Sequence, residues 1–71
     1  LITYNINKVK GYRNMLGLTQ TQIADKLNIT KQSYSRKEIG KAKFTDQEKI
    51  KLKEIFRFIN PTITIDDIFF K

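Results

Sequence analysis

Seventy-one residues with a formal net charge of +7 make one small domain, near the lower size limit for a self-sufficient core. The absence of Cys and His excludes a disulfide framework, a thiolate metal site and the commonest general base, so neither cofactor nor enzyme activity is expected. No apolar run approaches a membrane span and no signal-peptide pattern opens the chain, which predicts a cytoplasmic protein without a membrane partner.

Leu1 stands where an initiator Met would be, as in a trimmed or processed chain. Residues 1–4 (LITY) read as an extended lead-in. Asn5 is the N-cap candidate for a first helix running to about Leu16, with Ile6, Val9 and Leu16 toward the core and Gly17 ending it. Gly11 costs that helix roughly 1 kcal/mol relative to Ala, so it is either tolerated or marks a close approach. Tyr12 reads as a flank residue.

From Thr19 to Gly40 the sequence predicts two short helices joined by a tight turn. Thr19 and Gln22 have capping-box spacing, and Ile23, Ala24 and Leu27 recur on one helical face. Asn28 follows, a residue that tolerates the left-handed conformation a turn needs. Thr30 offers a second N-cap, and KQSYSRKE continues as helix, about 30–38, until Gly40. After the basic loop Lys41–Phe44, Thr45 and Glu48 repeat the capping box and open a fourth helix through about Phe58. Its apolar positions Ile50, Leu52, Ile55, Phe56 and Ile59 predict a buried stripe, broadened by Phe58. Asn60-Pro61 ends it. Thr64 caps a short fifth helix, and Ile68-Phe69-Phe70 either completes the core or forms part of a subunit contact. No repeat or linker interrupts the chain, so residues 1–71 are expected to form a single all-α domain of about five short helices.

The charge is uneven. Residues 1–44 hold nine Lys/Arg against two acids, whereas residues 45–71 hold five of each. All the excess lies in the half with the two capped helices, which points to a polyanionic partner.

Arg13, the run Gly17-Leu18-Thr19-Gln20, Ile23-Ala24, Leu27, Ile29-Thr30 and Glu38-x-Gly40 together resemble the helix-turn-helix of the lambda-repressor/Cro-like (Xre-like) family. The resemblance spans about residues 8–69, with the motif at about 19–40, and implies a compact lambda-repressor-like bundle. Two positions depart from the pattern. Asn28 replaces the usual turn Gly, and Lys37 stands where an apolar residue is usual, its stem expected over the core edge with the amine in water. The resemblance further implies a structural ion pair between Arg13 and Glu38.

In such a motif the second helix enters the DNA major groove, where each base pair shows a distinct donor and acceptor pattern. Helical spacing puts Lys31, Gln32, Ser35 and Arg36 on one exposed side as base-contact candidates. Lys31 and Arg36 can donate to guanine and Gln32 can pair with adenine. The family's base-reading positions match Lys31, Gln32 and Arg36, and Gln20 matches a phosphate-binding position at a helix N-terminus. Ser33, Tyr34, Lys41 and Lys43 complete the phosphate candidates, Tyr34 by burying its ring and offering its hydroxyl.

The expectation is a sequence-specific double-stranded DNA-binding transcriptional regulator, a repressor, acting as a homodimer on a near-palindromic operator. The alternative is an antitoxin-like or other protein-interaction module with the same fold. The two differ in whether Arg36→Ala abolishes DNA binding without unfolding the chain.

Overall fold

The structure is a computed structural model describing residues 7–70. Five helices follow one another: α1 (Lys8–Met15), α2 (Gln20–Leu27), α3 (Lys31–Glu38), α4 (Asp46–Phe56) and α5 (Ile65–Phe69), with no strand among the described residues. Short polar residues start each of them. Thr19, Thr30, Thr45 and Thr64 accept from the backbone N–H three residues on, and Gln22, Glu48 and Asp67 return the bond at three of these starts. A lost cap of this kind costs about 1 kcal/mol.

The first helix starts later than the sequence suggests. Its N-cap is Asn7, whose side chain accepts from Lys10 N, and Asn5 lies outside the described residues. Residues 1–6, including Ile6, lie outside the described residues. Gly17 at φ +70° ends α1, Asn28 at φ +60° turns α2 into α3, and Gly40 at φ +88° ends α3. Asn28 thus does the work of the usual Gly by occupying the left-handed region directly.

Ile23, Tyr34, Leu52 and Phe56 are the largest fully enclosed side chains. Ile23 and Leu27 on α2, and Leu52 and Phe56 on α4, present the i, i+4 spacing of one buried helix face. Ala24 on α2 adds to this face, and Val9, Ile63 and Ile68 close the core from the other elements. Tyr12 stacks on Phe56 with ring centroids 5.1 Å apart, joining α1 to α4. Phe44, in the loop after α3, bridges Tyr34 at 6.0 Å and Phe69 at 5.8 Å, so an aromatic row runs from α3 to α5. Ile68 and Phe69 therefore belong to the core, whereas Phe70 is 66% exposed.

Three further expectations are corrected. α4 ends at Phe56, and residues 57–59 form a turn in which Phe58 N bonds to Ile55 O and Ile59 N to Phe56 O. Phe58 follows Ile50 and Glu54 at the i, i+4 spacing of the outer side of α4, away from Leu52 and Phe56, and is 86% exposed, while Pro61 disfavours continuing the helix through Asn60. Ile50 likewise falls outside the buried stripe, which is set by Glu48, Leu52 and Phe56. The Lys37 amine is held by an acid and not left to water alone: it donates to both Glu48 oxygens at 2.8 and 2.9 Å, with the two side chains only 13% and 10% exposed. Glu48 was legible as a cap but is also the counter-ion that permits a Lys at an inward position.

Candidate nucleic-acid interface

The face of α3 that meets solvent is set by the face that cannot. Tyr34 and Glu38, four residues apart, are buried on the inner side. On the outer side Lys31, Gln32 and Arg36 are exposed and Ser35 is half-buried. These four side chains line one shallow depression at the surface. All lie within the first two turns, so a single ligand edge entering the depression would meet two cations, an amide and a hydroxyl. That is the donor and acceptor set suited to base edges in a major groove.

The inner side is held by a buried carboxylate. Glu38 Oε2 accepts from Arg13 Nε at 2.8 Å and from the Tyr34 hydroxyl, while Oε1 accepts from Gln20 Nε2 at 3.0 Å. Arg13 spends a further N–H on Leu18 O at 2.9 Å, and Asn7 Nδ2 donates to the Glu38 backbone carbonyl at 2.8 Å. One residue at the end of α3 is thereby tied to α1 and α2 at once. Burial pulls the Glu38 carboxyl upward, but the bonds from Arg13, Tyr34 and Gln20, with the Arg13 charge, outweigh it and hold the group below its ordinary value. The bond to Glu38 raises the Arg13 guanidinium against the opposing effect of burial. Burial, then the bond to Glu38, pushes the Tyr34 phenol well up.

This network changes the standing of two phosphate candidates. Tyr34 is fully buried and its hydroxyl donates to Glu38. Gln20 is half-buried and shares its amide N–H with Glu38, which makes it part of the support for α3. Ser33 is half-buried beside the Thr30 cap and lies outside the depression. Lys41 and Lys43 are exposed on the loop that folds back on α3, where Lys41 N and Ala42 N both bond to Arg36 O at 2.8 and 3.2 Å. The sequence could have announced Tyr34–Glu38 through its i, i+4 spacing; nothing local announces Asn7 or Gln20 as partners of Glu38.

Among the described residues, no group of three or more His, Cys, Asp or Glu is placed to hold a metal ion, and no helix is long and apolar enough to cross a membrane. A helix-turn-helix family model matches residues 9–61. No curated protein and no solved structure matches the chain.

Proposed function

The chain belongs to the Cro/C1-type, Xre-like helix-turn-helix family, whose members are DNA-binding transcription regulators of lambda-repressor-like fold, and from that premise we propose a sequence-specific repressor. The reading is a cytoplasmic protein that occludes a promoter by binding a near-palindromic operator as a homodimer. Lys31, Gln32, Ser35 and Arg36 read base edges, and Lys41, Lys43, Ser33 and the N-terminal turn of α2 at Gln20 hold phosphates.

The observation that supports this most is the two-sidedness of α3. Its outer face gathers four unlike polar side chains in one depression, while its inner face carries the buried Glu38 network that fixes its angle. Base reading needs that fixed angle, because a bidentate contact tolerates little rotation.

Selection of bound duplexes from a randomised library at near-physiological salt tests the reading. An enriched near-palindromic site is expected. Binding without enrichment, vanishing as salt rises, would reduce the site to a basic surface without sequence preference.

A further inference from the structure

Among the described residues the most exposed large apolar side chain is Phe58, 86% exposed in the turn that closes α4. It shares a shallow depression with Glu54 and Arg57, and Ile50, 45% exposed, continues the same outer side of α4 one turn before Glu54. Among the described residues neither Glu54 nor Arg57 has an ion-pair partner, so an acid and a base flank an uncovered ring with both charges uncommitted. Other exposed apolar groups are placed differently. Phe70 lies under the Lys49 amine at 5.2 Å, and Met15 and Ile39 belong to the half of the sequence that carries the whole excess charge.

We propose that the Phe58 face of α4 is the surface on which two copies of this chain meet, a proposal that rests on the homodimer reading above. Two arguments select a second copy as the occupant. Two chains of net charge +7 repel wherever their basic halves approach, whereas residues 45–71 are balanced and permit contact. A two-fold contact is also self-complementary, each residue meeting its counterpart's partner. With the two α4 ends antiparallel, Glu54 of each copy faces Arg57 of the other, and Phe58 is covered by the stems of both. Like-charged residues at 54 and 57 would forbid this pairing.

The patch is small, one ring with an aliphatic edge, well below the roughly 1,200 Å² of a stable standard interface. Self-association in free solution is therefore weak, with a dissociation constant on the order of 100 µM. Adjacent half-sites on one duplex would raise the effective concentration into the range where this contact matters.

Sedimentation equilibrium of the full chain up to millimolar concentration provides the test. The wild type is expected to dimerise and Phe58→Asp to weaken the dimer about tenfold or more, with an unchanged melting temperature because the ring is exposed. Glu54→Arg and Arg57→Glu each weaken it, and the double variant restores it. A wild type monomeric throughout would overturn this surface, whereas the homodimer premise falls only if the duplex selection returns a single half-site. A dimer indifferent to Phe58→Asp would overturn the surface and leave the homodimer standing, and a double variant no better than the singles would overturn the cross-pairing.

Discussion

Arg13 and Glu38, twenty-five positions apart, meet with Arg13 Nε 2.8 Å from Glu38 Oε2 and with side chains only 9% and 2% exposed. A pair so enclosed adds little net stability over a packed apolar alternative, because both ions have lost their water. Its value is geometric: it joins the start of the fold to the end of α3. Loss of one partner is another matter, since it strands the other. Arg13→Ala is expected to lower stability by about 3–5 kcal/mol, and Glu38→Ala similarly, while the double variant loses less than the sum. Urea denaturation of the four proteins measures the coupling.

Tyr34→Phe removes the hydroxyl that donates to Glu38 and keeps the ring between α3 and Phe44. A stability loss of about 1.5–3 kcal/mol is expected, as for a hydrogen bond to a charged group. DNA affinity at a temperature where both proteins are folded should be unchanged. A similar loss of affinity on every duplex, at an unchanged salt slope, would return Tyr34 to the phosphate contacts as a neutral donor.

The stability of the fold should fall on acidification. Glu38 is held low against its burial by Arg13, Tyr34 and Gln20, and Glu48 against its burial by Lys37 and the Thr45 backbone. A carboxyl with a depressed folded value binds protons more readily when unfolded, so its contribution is complete above the ordinary Glu value of 4.5 and is lost as pH falls through the folded values. Melting temperature against pH should be flat from neutrality to about that value and then decline. Glu48→Gln should shallow the acid limb at the cost of lower stability at neutral pH.

Gly11 sits within α1, and a methyl group built there meets nothing within 4 Å among the described residues. Close approach of a described neighbour is therefore not the reason for it. Gly11→Ala should stabilise the protein by about 1 kcal/mol through helix propensity alone, read as a shift in the urea midpoint at constant slope. A destabilised variant would point to an interaction at this face absent from the isolated chain.

Gln32 and Lys41 should separate base reading from phosphate holding. Gln32→Ala is expected to cost about 1–3 kcal/mol on the selected site and to relax preference at one base position. Lys41→Ala should weaken every sequence alike and reduce the slope of log K against log salt by about 0.9. Binding measured on the selected site and one scrambled duplex over a salt series distinguishes them.

Much of this architecture is legible because its determinants are local. A threonine capping the amide three residues on is readable at Thr19, Thr30, Thr45 and Thr64, and the turn at Asn28 needs only a residue that accepts φ +60°. The outer set on α3 follows from helical spacing in the same way. What was misread depends on partners remote in sequence. Asn5 and Asn7 both fit a cap, and Asn7 has a second commitment to the Glu38 carbonyl that no local pattern announces. Phe58 adds to the apolar content of α4, but it falls with Ile50 and Glu54 at i, i+4 spacing on the outer side, away from Leu52 and Phe56. Lys37 looks solvent-seeking until Glu48, eleven residues on and already a cap, is found beside it.

That double use of Glu48 couples the lifetimes of two helices. Its carboxylate accepts from Thr45 N at the first turn of α4 and from Lys37 Nζ at the last turn of α3, across the loop that carries Lys41 and Lys43. Fraying of either end strips a ligand from the same carboxylate, so neither terminus opens alone at low cost. Amide exchange at the close of α3 and the start of α4 should consequently proceed through one shared opening, and a single substitution at Glu48 should divide it into two.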